Sequence, residues 1–328
     1  MSPDPATLPE SQIAAFLRAV GTGRLQEACA TLTQLPGIVN AIGPHPFWGG
    51  RPQPLHVAIE TSRRDMFELL LEHGADVDGR NDQYDHWSPL MLAIQRNQQD
   101  MIDELRRRGA HSGLLETLLL GDENGTEVLL RSSDALAVCP HRDTILAFAR
   151  TPFAIDRLLA LGAKADVLDR WGSTPIDAIS RLGPPAAPLV RHLDARGLPV
   201  TVKHFARIGD LVRLTRLIEQ DPDLARLEGV MLAAVDSSHH EMVQWLLERG
   251  ANVNARADAP SRHSALHSAA WNGDLKMTQL LVSASADVYA RDDQYNATPL
   301  EWALTSVDVS NNPQCAKVAE YLKSLNAE

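Results

Sequence analysis

His141-Arg142-Asp143 carries the first three letters of a protein-kinase catalytic loop, which would make Asp143 a catalytic base. Phosphoryl transfer in that setting needs a metal-binding Asn five residues after the Asp, and Phe148 stands there instead. No glycine-rich phosphate loop precedes the triplet and no Asp-Phe-Gly follows it. His239-His240-Glu241 lacks the i, i+4 spacing that puts two imidazoles on one helical face for zinc. Cys139-Pro140-His141 offers two metal ligands with no second pair nearby in the sequence. No Gly-x-Ser-x-Gly elbow and no Walker motif occurs, so no catalytic, metal or cofactor signature declares itself. If the chain does turn over a small molecule, His45 near Trp48 and His86 beside Trp87 are the candidates for acid–base chemistry.

The elements that must position these side chains announce themselves by repetition. Leu70-Leu71-Glu72-His73-Gly74-Ala75-Asp76-Val77 returns as Leu158-Leu159-Ala160-Leu161-Gly162-Ala163 and as Leu246-Leu247-Glu248-Arg249-Gly250-Ala251. A less clean copy is Leu281-Val282-Ser283-Ala284-Ser285-Ala286. A second phrase opens segments at Ser88-Pro89-Leu90, Thr174-Pro175-Ile176 and Thr298-Pro299-Leu300, with variants Gln53-Pro54-Leu55-His56 and Ser264-Ala265-Leu266-His267. Pro54 to Pro89 is 35 residues and Ala265 to Pro299 is 34. A fixed period of that size means a stack of small supersecondary units. Within each unit, Ser or Thr is a good N-cap and Pro fits the first helical position, where its missing N–H costs nothing. Leu-x-x-Ala then sets one large and one small residue on one helical face. A second helix comes next, stopped by a Gly that tolerates the left-handed conformation.

These phrases resemble the ankyrin repeat over most of the chain. The resemblance implies an all-α solenoid of about nine to ten helix-turn-helix repeats with projecting finger turns. The clearer units run over 50–83, 84–112, 143–170, 171–200, 229–255, 262–292 and 296–328. Two degenerate ones begin at Ala14 and His204, and each ends in a Pro-containing segment, Pro36-Gly37-Ile38-Val39 or Pro222-Asp223-Leu224-Ala225. Gly113 to Val138 forms a weaker one. Gly183-Pro184-Pro185 predicts an irregular turn between two helices. Residues 1–10 are expected to be a flexible segment and 11–328 one continuous array. Within that array, 11–112 form a first arm, 113–202 a degenerate middle and 203–328 a second arm.

In the family, the histidine of Thr-Pro-Leu-His bonds back to its helix start and ties neighbouring turns, so His56 and His267 are expected to be structural. Other units place Met91, Asp177 and Glu301 there. The family binds partners through finger tips and the inner face of the first helices. Trp48, Tyr84, Trp87, Trp171 and Tyr295 fall in fingers and Trp271 on an inner helical face, six of the ten Trp and Tyr residues. With His86 and His263 they make up the expected partner-binding set, large aromatics being frequent binding anchors. Trp245 belongs to a second helix and reads as core, whereas Trp302 fits either core or rim. His45, Glu60, Asp85, Gln95 and Asp293 are polar residues that the same groove would collect.

The expected function is a protein–protein interaction module that binds a partner protein through the concave face of the array. The alternative is a small-molecule-binding or enzymatic protein with an aromatic and histidine-lined pocket. A net charge of −11 argues against nucleic acid and makes a basic partner surface the natural expectation. Three scattered cysteines fit a reducing compartment rather than a disulfide framework. Met1 to Glu10 has neither the basic start nor the apolar run of a signal peptide, and no apolar run is long enough to span a bilayer. The expected location is therefore the cytoplasm. Only five of 31 basic residues are Lys, a bias that suggests a GC-rich bacterial genome.

Overall fold

The computed structural model describes residues 8–47, 49–79, 82–131, 136, 139–170, 172–257, 261–310 and 312–325. Regular structure among them is helical, and the β-pairing recorded is an isolated bridge between Arg256 and Ser264. No helix of the described residues is long and apolar enough to cross a membrane. The chain divides into two compact units, the first built from residues through Pro140 and the second from most of the residues after it.

The first unit holds α1 (Glu10–Thr22), α2 (Leu25–Gln34), α3 (Pro54–Glu60), α4 (Arg64–Glu72), α5 (Pro89–Gln95), α6 (Gln99–Arg107), α7 (Leu114–Leu120) and α8 (Glu123–Leu130). The second holds α9 (Pro152–Ala160), α10 (Pro175–Ser180), α11 (Ala187–Ala195), α12 (Val202–Ile208), α13 (Leu211–Gln220), α14 (Glu228–Asp236) and α15 (His240–Glu248). It continues with α16 (Ala265–Asn272), α17 (Leu275–Ser283), α18 (Pro299–Ser310) and α19 (Pro313–Leu325). First helices stack in one row, α1–α3–α5–α7 in the first unit and α10–α12–α14–α16 in the second. Second helices form a row beside them, as with α2 on α4 and α15 on α17.

The Leu-x-x-Ala pattern explains the close stacking. Leu55 and Ala58, Leu90 and Ala93, and Leu266 and Ala269 are all buried, the alanine admitting the neighbouring helix. A residue at positive φ turns most first helices into their second, among them Ser62, Asn97, Gly209 and Gly273. At Gly273 the space is closed as well, because a Cβ there would lie 2.9 Å from the Cys315 backbone nitrogen. The imperfect phrase at Ser283-Ala284-Ser285 keeps the geometry, since Ser285 adopts φ +69° where Gly74 and Gly250 stand in other units.

Both Pro-containing segments of the degenerate units form five-residue 3₁₀ turns, Pro36–Asn40 and Pro222–Arg226. A shorter one, Pro184–Ala186, interrupts the α10–α11 connection, as Gly183-Pro184-Pro185 predicts. The unit beginning near residue 143 departs from the expected pattern. Its first element is a 3₁₀ helix, Arg142–Phe148, with no side-chain cap, and the Thr-Pro cap of that unit, Thr151-Pro152, opens the second helix instead.

Candidate functional site

In several repeats the opening phrase sets a hydrogen-bonded joint to a neighbouring unit. His267 Nδ1 accepts from the Ser264 backbone N–H at 3.2 Å and lies 2.8 Å from Ser264 Oγ, which fixes the proton on Nε2. Nε2 donates to the Ala297 carbonyl at 3.0 Å, one residue before the next opening phrase. His56 reaches the Trp87 carbonyl in the same way at 2.9 Å, although Gln53 provides no side-chain cap. Burial holds both imidazoles below their usual pKa, so they are neutral joints. Where histidine is missing, a carboxylate takes the slot: Thr174 N–H and Oγ1 donate to Asp177 Oδ2, and Thr298 N–H and Oγ1 donate to Glu301 Oε2. In the Met91 unit, Ser88 Oγ caps the helix and donates to the fully buried Glu116 of the next unit at 2.8 Å.

In the first unit the aromatic and histidine candidates sit between the turn after α2 and the start of α5. His45 is buried, its Nδ1 accepting from the Phe47 N–H at 3.2 Å and its Nε2 donating to Glu60 Oε2 at 3.1 Å. Both ring nitrogens are thereby engaged in holding this turn against the end of α3. The imidazole stacks parallel to the Tyr84 ring at 6.4 Å, and Tyr84 meets His56 edge-on at 5.5 Å. Gly50, at φ +97°, makes room for Tyr84, because a Cβ there would lie 2.9 Å from its ring. Trp87 is half-buried, with one side packed against the core. His86, also half-buried, occupies a left-handed turn at φ +55°.

The second unit gathers a denser cluster at the end of the α16 row. Trp302 is its centre, meeting Trp271 edge-on at 5.9 Å, His267 edge-on at 5.3 Å and His263 tilted at 5.1 Å. Its indole N–H donates to Asp292 Oδ2 at 3.0 Å. Asp292 is buried, and its other oxygen takes the backbone N–H groups of Gln294 and Tyr295, while Oδ2 also takes that of Ala297. Burial by itself would raise the pKa of this carboxyl, but these donors overcome it and hold the group ionised below the usual range. His263 is lowered by burial, against the pull of Asp236 and Asp292. Trp271 and Trp302 each keep part of the indole in solvent.

A family model described as ankyrin repeats (3 copies) matches residues 23–115, 203–292 and 230–328, more than half of the chain. The chain belongs to the ankyrin repeat family. Among curated proteins it is similar to a B-cell lymphoma 3 protein homolog of Mus musculus, 28% identical over 165 residues, covering 45% of this chain and 36% of that protein. A protein fem-1 homolog A-like of Mus musculus matches at 37% over 82 residues, 24% of this chain and 12% of the relative. The ankyrin repeat domain-containing protein SAT10 of Stachybotrys chartarum matches at 30% over 128 residues, 37% of this chain and 7% of the relative. The chain thus spans about a third of the first relative's length and much less of the other two.

Within the ankyrin frame, the eight residues expected to bind a partner fall into distinct settings. Trp48 and Trp171 lie outside the described residues. Tyr84 differs from the expectation of an exposed finger residue, being only 8% exposed because Gly50 opens a slot for its ring. Trp87 and His86 are half-buried, and Tyr295 is exposed. His263 and Trp271 are brought together through Trp302, which the sequence leaves between core and rim. Trp245 lies partly buried against the core with the Arg249 guanidinium 3.8 Å from its ring centroid. Asp293 forms ion pairs with Arg256 and Arg262, whereas its neighbour Asp292, which the sequence does not single out, organises the cluster. The sequence pattern places His204 in a degenerate helix. It is in fact a repeat histidine, its Nδ1 accepting from Thr201 N–H at 2.8 Å and its Nε2 donating to Asp177 at 3.1 Å. Thr201-Val202-Lys203-His204, a cap residue three before a histidine, is the signal that could have found it.

Proposed function

We propose that this ankyrin repeat chain is a protein–protein interaction module, and that its second unit captures a partner protein on the row of first helices, the face the family presents as concave. The observation that supports the reading is the half-exposed Trp271–Trp302 pair, held from beneath by buried Asp292. Fixed, partly solvated indoles lose little entropy on binding and are the side chains most often found as interface hot spots. Trp87, with one face on the core and one toward solvent, would be the corresponding anchor of the first unit. The three scattered cysteines, Cys29, Cys139 and Cys315, suit a reducing cytoplasm, where we place the protein.

Native mass spectrometry of the protein isolated gently from its host would identify what it holds. A retained polypeptide, purified and titrated against Trp271→Ala, should bind at least about 2 kcal/mol, or roughly thirtyfold, more weakly than to the parent. Unchanged affinity in folded Trp271→Ala would place the interface elsewhere. A retained mass of a few hundred daltons in place of a polypeptide would refute the reading in favour of a small-molecule pocket.

A further inference from the structure

One register position recurs along the first helices of the second unit. It lies two residues before the positive-φ residue that follows each helix: Arg181 before Gly183, Arg207 before Gly209, Asp236 before Ser238 and Trp271 before Gly273. Since α10, α12, α14 and α16 stack in that order, these four side chains form a strip across the helix row. Two of the adjacent pairs interact. Arg207 Nη2 lies 3.7 Å from Asp236 Oδ2, and the charge of Arg181 acts on Arg207.

The Arg181–Arg207 end carries cationic charge that its surroundings leave incompletely answered. The Arg207 side chain is 12% exposed, and its Nε is buried without a hydrogen-bond partner among the described residues. Burial lowers the pKa of this guanidinium; Asp236 and Asp177 oppose that shift and the neighbouring Arg181 adds to it. Arg181 spends one nitrogen on Ser173 Oγ at 2.5 Å and is otherwise exposed. Lys203 joins them from α12, 2.6 Å from an Asp177 oxygen that already receives His204. Lys203 and Arg207 thus pair with Asp177 and Asp236, while Arg181 meets a hydroxyl, in a chain whose overall charge is −11. The exposed Arg181 guanidinium is the accessible part of this end, and planar carboxylate is the group its fork matches best.

We infer that the strip recognises an extended segment of a partner protein that places a carboxylate side chain at Arg181 and Arg207 and a large apolar side chain against Trp271 and Trp302. The inference rests on the proposed function and specifies the chemistry of the partner, reversing the basic partner that net charge suggests. Spacing comes from the stack. Neighbouring helix axes lie about 10 Å apart, so α12 to α16 is roughly 20 Å. Extended chain advances about 3.3 Å per residue, so the acidic and apolar residues stand about six apart, in either chain direction.

The test is selection of a phage-displayed library of random 16-residue peptides on the full chain, followed by titration of the enriched peptides. The expected peptides pair Asp or Glu with Leu, Phe or Trp at a separation of about five to seven. Their affinity should fall at least tenfold in Arg181→Glu and at least tenfold in Trp271→Ala. It should also fall when salt is raised from 50 to 500 mM. Arg181 is exposed, so its substitution leaves folding intact, which circular dichroism verifies. Enriched peptides that lack the acidic residue but still depend on Trp271 would overturn the inference and leave the proposed function standing. Peptides indifferent to both substitutions would overturn both. A library that yields no binder refutes recognition of an extended segment, leaving a folded partner surface as the surviving form of the proposed function.

Discussion

Replacing Asp292 by Asn changes one oxygen to an amide nitrogen and leaves the shape of the side chain intact. Oδ1 accepts from Gln294 N–H at 2.9 Å and Tyr295 N–H at 2.6 Å, and Oδ2 accepts from Ala297 N–H and Trp302 Nε1–H, each at 3.0 Å. Whichever way the new amide turns, two N–H donors lose their acceptor and face another donor. Each buried donor left unsatisfied costs about 1–3 kcal/mol. Tyr295 is 54% exposed, so water reaches part of this loop and the lower half of the range applies, about 2–4 kcal/mol in total. The assay is urea unfolding followed by tryptophan fluorescence, because the Trp302 indole reports directly on this carboxylate. The midpoint should fall with the slope unchanged. Asp293→Asn is the internal control: its ion pairs with Arg256 and Arg262 lie at the surface, so its loss should cost less than about 1 kcal/mol. If the two variants unfold at the same denaturant concentration, Asp292 does not organise the cluster.

Leu246→Ala, at a fully buried position of α15, should cost about 2–5 kcal/mol by denaturant unfolding, whereas Val212→Ala, 67% exposed on α13, should stay within about 0.5 kcal/mol. Glu116→Ala removes the acceptors of Ser88 Oγ–H and Gly113 N–H in the first unit, and a loss of about 1–3 kcal/mol is expected in the same assay. Acid should destabilise the protein in two stages. His56, His263 and His267 have folded pKa values below the unfolded value of about 6.5, so their neutral joints contribute fully above that pH. That contribution is lost as pH falls from there toward the folded values. Asp177 and Asp292 are depressed as well and add a second loss below the unfolded carboxyl pKa of about 4. Thermal melts from pH 8 to pH 3 should show a level region above about 6.5 and a fall beneath it; a melting temperature that rises between pH 6.5 and 5 would contradict the histidine assignment.

The helix pairs are legible because each carries its own local instructions. A cap with Pro at the first helical turn, Leu-x-x-Ala and a left-handed stop act within about ten residues, and none depends on a distant partner. The element over residues 142–148 departs from expectation for a local reason too. Its seven residues lie ahead of Thr151-Pro152, which caps the second helix, so no cap remains for the first. The aromatic cluster is half legible. Trp271 and His263 follow from register, but Asp292 is enclosed by the turn that comes after it. Nothing in the letters Asp292-Asp293 tells which carboxylate turns inward.

The joint between repeats accepts several chemical solutions. Histidine fills it at 56, 204 and 267, a carboxylate at 177 and 301, and a serine–glutamate pair at 88 and 116. All of them supply an acceptor for the cap or a donor to the next unit, so the joint constrains hydrogen bonding and leaves residue type open. In the second unit the position two before the positive-φ residue lies outside that joint. Arg181, Arg207, Asp236 and Trp271 stand on backbone that the stack has already fixed, and Arg207 is held there with a buried N–H unanswered. Stability does not require a guanidinium at that place and is lowered by it. A costly group on a rigid frame, in the same helix row as the partly solvated Trp271, is the arrangement expected where recognition rather than folding selects the side chain.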